Sequence, residues 1–247
     1  MSTRTFVVGD IHGCLDEVDA LLDGLSATAG DRIVFLGDYV DRGPASKAVI
    51  DRLIRLQREG PQCVFLRGNH EDMFLAYMGM DGHYGDAFLV NGGRATLRSY
   101  DLETCDGAAV AQRIPSAHIE FLRALRDYEI AGDFLCVHAG INPLRPLEKQ
   151  SSEDLLWIRE EFIRNRHPLP YIVLFGHTPH RDVPTNLLPY KIGLDTGLVY
   201  SNKLSCLELE SGELLQVRRG ERSVRRSSLA ELLRPAQRRI QSMRRSE

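Results

Sequence analysis

The sequence has no apolar run of membrane-spanning length, no cysteine pairing pattern and no large excess of either charge. Its hydrophobic stretches are strand-sized, far below the roughly 20 residues a membrane helix needs, so no membrane partner is expected. The opening "MSTRTFVVGDIHG" turns polar after one short apolar segment, too short a core for a signal peptide. Cys14, Cys63, Cys105, Cys136 and Cys206 are odd in number, scattered and never spaced C-x-x-C. That usage argues against a disulfide framework or a thiolate zinc site, and for reduced thiols in the cytoplasm. A formal charge of −3 argues against a chain that coats nucleic acid through its whole surface. No internal repeat is present.

What charge there is lies unevenly. From Val217 onward ten arginines face three glutamates, a net +7, which leaves −10 for the rest. With 247 residues and 43% hydrophobic content, the chain suits one well-buried domain. We expect that domain to span 1–216, followed by a basic, partly helical C-terminal tail over 217–247.

Several apolar runs end in glycine beside a small polar cluster: "TFVVGDIHG", "RIVFLGDYVDRG", "CVFLRGNHE", "FLCVHAG" and "YIVLFGHT". Their length and β-branched content predict buried strands. Between the first two, Leu15, Val18, Leu21, Leu22 and Leu25 mark one helical face. Between the second and third, Pro44 suits a helix start and Gly60 a helix stop. Strand, helix, strand, helix, strand implies parallel pairing, with ligands gathering at the carboxyl ends of the strands. Residues 71–131 read instead as a helical insertion over that end. "YEIAGDFLCV" and "KLSCLELESGELLQV" predict hairpins turning at Gly132-Asp133 and Ser211-Gly212, and so a second sheet.

The strand-end residues are Asp10 and His12, Asp38 and Asp41, Asn69 and His70, His138, and His177. Carboxylates, imidazoles and one amide make a site for divalent first-row metals, and their number exceeds what one ion needs. Alone, Asp-x-His is more often a solvated turn, and Asp41-Arg42 could be a surface ion pair. The fivefold recurrence of strand, glycine and ligand-type residue is what favours a site.

"GDIHG" at 9–13, "GDYVDRG" at 37–43, "LRGNHE" at 66–71, "HAG" at 138–140 and "GH" at 176–177 resemble, in order, the signature of the phosphoprotein phosphatases. These belong to the calcineurin-like metallophosphoesterases, and the short bacterial and phage-type serine/threonine phosphatases look most similar in size. "GLDTG" at 193–197 is a further family-like element. The resemblance implies an α/β calcineurin-like fold, a two-sheet β-sandwich flanked by helices. It implies that Asp10, His12 and Asp38 hold one metal, and that Asp38, Asn69, His138 and His177 hold a second, with Asp38 bridging. Two such cations activate a bridging water that attacks phosphorus in line. Manganese is the expected ion, with iron or zinc as alternatives. His70, oriented by Asp41, is the candidate proton donor to the leaving group. Arg42 is a phosphate clamp, and Arg159 in "LLWIR" a second, with Arg164 and Arg166 as nearby alternatives. No cysteine starts a C-x5-R loop, in keeping with chemistry that needs no covalent phosphoenzyme.

The expected activity is metal-dependent phosphate monoester hydrolysis on a phosphorylated protein, at phosphoserine or phosphothreonine and also at phosphotyrosine. The alternative is symmetrical diadenosine tetraphosphate hydrolysis. Enzymes of that kind look similar in "GDIHGC" and "DTG", but usually show "GNHD" and lack the second aspartate of "GDxVDRG". Here Glu71 and Asp41 favour the protein phosphatase. A non-catalytic binding protein with this fold would lack a metal ligand, and none is missing.

Outside the strand ends, His83, His118, His167 and His180 read as surface or loop residues, Glu71 as an orienting group, and "NGG" at 91–93 as a loop beside the site. In the tail, Ser228 and Glu231 predict a capping box, Leu229, Leu232 and Leu233 an apolar face, and Pro235 a helix end or kink. The tail is either a terminal helix with solvated arginines or a basic arm for an acidic partner. It lacks aromatic stacking residues, so nucleic acid is not expected there.

Overall fold

The computed structural model describes residues 3–244. Arg245 and Glu247 of the basic segment lie outside the described residues. In chain order the strands and α-helices are β1 (Thr5–Val8), α1 (Leu15–Leu25), β2 (Arg32–Phe35), α2 (Ser46–Glu59), β3 (Gln62–Phe65), α3 (Asn69–Tyr77), α4 (Arg94–Ser99), α5 (Gly107–Arg113) and α6 (Ser116–Arg123). They continue with β4 (Tyr128–Ala131), β5 (Phe134–Val137), α7 (Ser152–Trp157), α8 (Glu160–Arg164), β6 (Ile172–Phe175), β7 (Lys191–Gly193), β8 (Lys203–Glu208), β9 (Glu213–Arg218), β10 (Val224–Ser228) and α9 (Ala230–Arg244). One sheet has the order β10-β9-β8-β1-β2-β3 and the other β4-β5-β6-β7. This is the expected α/β arrangement of two sheets with flanking helices.

Alternation along each strand explains why the runs read as continuously apolar. In β1, Val7 faces the space between the sheets, where it meets the layer of Val34, Val64, Cys136, Ile172 and Leu174. Phe6 and Val8 face the other way, into the cluster that holds Val18, Leu21 and Leu25 of α1 and Ile50 and Leu53 of α2. Across the sandwich, Leu135, Val137, Val173 and Phe175 pack against Leu155 and Phe162 of α7 and α8. Strands buried on both faces leave no polar alternate position to show the pleat.

β1, β2 and β3 pair in parallel, as do β5, β6 and β7. All these strands therefore end at one edge of the sandwich, and the polar clusters that follow them meet there. Both predicted hairpins form, β4 with β5 and β8 with β9. The helical insertion is made by α3 to α6, and the last part of the expected 71–131 span is strand β4.

The C-terminal segment differs most from expectation. The boundary at 216 falls inside β9, and β10 pairs antiparallel with β9 from Val224↔Val217 to Ser228↔Glu213. A Cβ on Gly24 of α1 would lie 2.3 Å from Val224 Cγ2, so a bare glycine makes room for this strand. In α9 the buried residues are Leu233, Ala236 and Ile240, joined by Leu229 just before it, while Leu232 is 47% exposed. The expected face of Leu229, Leu232 and Leu233 is thus rotated to one that seals the inter-sheet core. Pro235 lies inside α9 and does not end it. It sits near the start, where its missing N–H removes one bond, to the Glu231 carbonyl of the first turn. Several arginines of this segment pair within the fold: Arg219 with Glu17, Arg225 with Glu221, Arg226 with Glu213 and Arg244 with Asp133.

Candidate metal centre and active site

Asp38 follows β2 and is the hub of the strand-end cluster. Its Oδ2 lies 3.4 Å from His12 Nε2 and 3.9 Å from His70 Nε2, and its Oδ1 lies 3.4 Å from His138 Nε2. Burial raises this carboxyl, and positive charge on the surrounding His138, His70, His12 or His177 would bring it below the usual carboxylate range. One oxygen therefore faces each of two groups, His12–Asp38–His70 and Asp38–His138–His177, all buried. Glycines admit this crowding: a Cβ on Gly68 would lie 2.1 Å from Asp38 Oδ1, and one on Gly176 would lie 2.1 Å from Asp10 Oδ1.

The imidazoles are arranged as lone-pair donors. His12 Nδ1 donates to Val40 O at 2.8 Å and His138 Nδ1 to Leu36 O at 2.9 Å. Those bonds set the tautomer and leave each Nε2 without a proton. His138 Nε2 then faces Asn69 Oδ1 at 3.0 Å and Asp38 Oδ1 at 3.4 Å, a lone pair set against two oxygens. His177 Nδ1 meets the same Asn69 oxygen at 2.9 Å, and its Nε2 is buried without a partner. Burial pushes His12 down to about 3 and lowers His138 and His177 as well, which keeps the rings neutral. Asp10 Oδ2 accepts the His177 N–H at 3.0 Å, while Oδ1 is buried and unpartnered. Burial, with the charges of Asp195 and Asp38, raises the Asp10 carboxyl.

Acceptors facing acceptors and an orphaned buried carboxylate oxygen call for positive charge between them. The residues present thus fit divalent cations: oxygen and nitrogen donors, bare imidazole nitrogens and a central carboxylate with one oxygen per group. Asp10, His12, Asp38, Asn69, His138 and His177 are all brought together here. The first group also includes His70.

Backbone strain is concentrated at the same place. Of the nine non-glycine residues with positive φ among the described residues, five are candidate site residues: His12, Asp38, Asp41, Arg42 and His177. Such conformations cost free energy and persist only where the surroundings enforce them. Glu71 is one enforcer. Its carboxylate accepts the backbone N–H groups of Asp38 at 2.9 Å, Tyr39 at 2.7 Å, Val40 at 3.1 Å and Gly68 at 3.0 Å. Tyr39, fully buried, donates its hydroxyl to Leu66 O at 2.7 Å and so ties the "GDYVDRG" loop to the "LRGNHE" loop. Glu71 acts on backbone, as the sequence suggested.

His70 Nδ1 lies 2.6 Å from Asp41 Oδ2, and both side chains are fully buried. His70 Nε2 has no hydrogen-bond partner. Burial works against protonation of this ring, but Asp38 and Asp41 outweigh it and raise its pKa. Arg42 Nη1 reaches His12 Nε2 at 2.6 Å, and its guanidinium lies 5.6 Å from the ring of exposed Tyr200. Arg159 stands at the break between α7 and α8, where its charge depresses His138 and His177. Arg164 pairs instead with Glu160, and Arg166 lies over Tyr190. Arg159 caps the start of α8, Arg164 ends it and Arg166 lies beyond it.

Two of the four other histidines depart from the expected surface placement. His118 is buried, between the Tyr100 hydroxyl at 2.8 Å and Asp51 at 2.9 Å. His167 is buried against Tyr190 O at 3.0 Å, and burial pushes it down to about 4. Polar residues in helices and loops gain such partners only through tertiary packing. Sequence reading also left Asp195 without a role; in the structure it is buried, accepts the Gly197 N–H at 2.9 Å, and is pushed up to about 6 by burial with Asp38's charge adding. Its signal was available, since "YKIGLDTG" repeats the strand, glycine and acid pattern.

The family model for calcineurin-like phosphoesterases matches residues 3–205, and the chain belongs to that family. Among its relatives is the asymmetrical bis(5'-nucleosyl)-tetraphosphatase PrpE of Bacillus velezensis, 26% identical over 85% of this chain and 91% of that protein. Another is the serine/threonine-protein phosphatase 6 catalytic subunit of Drosophila melanogaster, 28% identical over 74% of this chain and 59% of that one. A solved structure described as a candidate diadenosine tetraphosphatase superposes with a TM-score of 0.67 at 28% identity, covering 89% of this chain and 95% of the other. The chain is therefore a metallophosphoesterase, in a family that uses divalent metal ions. No helix among the described residues is long and apolar enough to cross a membrane.

Proposed function

We propose that this metallophosphoesterase hydrolyses phosphate monoesters on proteins, at phosphoserine and phosphothreonine. The observation that carries this reading is the buried His70–Asp41 pair, 2.6 Å apart, with His70 Nε2 unpartnered. A serine or threonine alkoxide is a poor leaving group and needs a proton as the P–O bond breaks. A nucleotide leaving from a dinucleoside tetraphosphate departs as a stable anion and gains little from such a donor. The geometry therefore suits an alkyl ester.

Asp10, His12, Asp38, Asn69, His138 and His177 would hold two divalent cations. There they would supply positive charge against the phosphoryl oxygens and a lower pKa for the attacking water. Manganese follows from the resemblance to bacterial members; the donor set also accepts iron or zinc. Arg42 and Arg159 offer guanidinium donors to the phosphate, His70 Nε2 gives its proton to the leaving oxygen, and Asp41 stabilises the ring through Nδ1. The scattered cysteine usage supports a reducing, cytoplasmic setting.

A second reading, dinucleoside tetraphosphate hydrolysis, is favoured by relatives named for that activity that match this chain over most of both lengths. The test compares rates on phosphoserine, phosphothreonine and phosphotyrosine peptides and on diadenosine tetraphosphate, at equal protein and with manganese, iron or zinc added singly. The phosphopeptides are expected to turn over faster. A preference for the dinucleotide under every metal would overturn the protein phosphatase reading.

A further inference from the structure

We propose that Thr96, on α4 of the helical insertion, is a positioning residue that aims the Asp41–His70 pair at the leaving group. The proposal rests on the reading of His70 as proton donor. Asp41 has two carboxylate oxygens in a site without solvent access. Oδ2 holds His70 Nδ1 at 2.6 Å, and Oδ1 accepts the Thr96 hydroxyl at 2.5 Å. The same Thr96 oxygen accepts the Asp41 backbone N–H at 2.8 Å, and Ser46 Oγ shares that N–H at 3.1 Å. The two hydroxyls are themselves 3.1 Å apart. One side chain thus grips both the backbone and the carboxylate of a residue whose φ of 70° lies in the left-handed region, sparsely populated by residues other than glycine.

A carboxylate anchored at one oxygen turns about its Cβ–Cγ bond, and the imidazole it holds turns with it. Anchoring Oδ1 removes that freedom, and a charge-assisted hydrogen bond is the strong kind. Thr96 is fully buried, so water does not take over the contact when the hydroxyl is lost. The same part of the insertion also fixes the next residue. Arg42 N–H donates to Gly92 O at 3.1 Å, and a Cβ on Gly92 would approach Arg42 Cγ to 2.7 Å. The insertion therefore sets the geometry of the "GDYVDRG" loop as well as lying beside it.

The readout is leaving-group dependence, which a merely structural role would not move. Thr96→Val keeps the β-branched shape and removes the hydroxyl; Thr96→Ser keeps the hydroxyl. Each full-length variant is loaded with manganese and assayed on a phosphoserine peptide, whose alkoxide needs a proton, and on p-nitrophenyl phosphate, whose anion does not. Thr96→Val is expected to lower the alkyl-to-aryl kcat ratio by about tenfold, a part of the 10²–10⁴ range of a general acid, with bound manganese unchanged and Thr96→Ser restoring the ratio. Thr96→Ala provides the same measurement should valine prevent folding. An unchanged ratio in the hydroxyl-deleted variant, while His70→Asn lowers it, overturns the role of Thr96 alone. An unchanged ratio in His70→Asn overturns the proton-donor reading and this proposal with it.

Discussion

His70 and Asp41 form a sealed pair: 2.6 Å separates Nδ1 from Oδ2, neither side chain reaches solvent, and the other ring nitrogen is left without a partner. An unpaired buried nitrogen is costly and is kept where chemistry uses it. His70→Asn should lower kcat on a phosphoserine peptide by about a hundredfold or more, and Asp41→Asn should also slow it. Metal content by elemental analysis should stay near wild type in Asp41→Asn. Full turnover of the peptide by both variants would remove the pair from catalysis.

Cation binding should stabilise this fold, because Asp10 Oδ1 and the unprotonated nitrogens of His138 and His177 face acceptors or nothing. A ligand at a hundred times its Kd stabilises by about 2.7 kcal/mol when it binds only the folded state. Melting in chelator should therefore occur below melting in excess manganese, and turnover should stop in chelator. Asp38→Asn, which removes charge from both groups, should shrink the shift. Equal melting and equal turnover with and without chelator would sink the two-cation reading.

Much of this site could be read along the chain because ligands follow strands immediately. An apolar run, a glycine and a polar residue lie within a few positions, and parallel pairing does the rest. Asp10, Asp38, Asn69, His138 and His177 needed no knowledge of tertiary contacts. Thr96 did: a threonine inside a helix looks like any other, and its partner Asp41 is distant in sequence. His118 and His167 were misplaced for the same reason. β10 was hidden by composition, since "VRRSS" has one apolar residue and depends on the bare Gly24 surface of α1.

Glu71 shows how a single carboxylate can stiffen two loops. Four backbone N–H groups converge on it and favour its ionised form, working against its burial and the nearby Asp38 charge, which raise its pKa. Glu71→Gln sets an amide N–H against backbone N–H groups. We expect a loss of about 2 to 4 kcal/mol in urea unfolding, from weakened charge-assisted bonds and unsatisfied donors. A change below about 0.5 kcal/mol would show that the loops hold themselves.

Arg159 is distinguished from its neighbours by charge reach. Its charge bears on His138 and His177, whereas Arg164 is engaged with Glu160 and Arg166 lies over the Tyr190 ring. If it binds phosphate, Arg159→Met should raise KM by about tenfold, equivalent to about 1.4 kcal/mol, with a smaller effect on kcat. Arg164→Met should leave both within twofold. Inhibition by inorganic phosphate gives an independent check, weakening in the first variant and not in the second.

The basic C-terminal segment is the sharpest test of where the domain ends. Leu229, Leu233, Ala236 and Ile240 close one end of the inter-sheet core, and β10 completes a sheet whose centre carries Asp10. Truncation after Val217 would leave the outer edge of β9 unpaired and strip the apolar cover from that core. The shortened chain should not fold, as judged by loss of a cooperative melt. Ile240→Ala is the gentler version, expected to cost about 2 to 5 kcal/mol by cavity formation. Arg238→Ala, on the exposed side of the same helix, should change stability by no more than about 0.5 kcal/mol. A truncated protein that melts cooperatively and keeps turnover of small phosphates would instead mean that the sheet needs neither β10 nor α9.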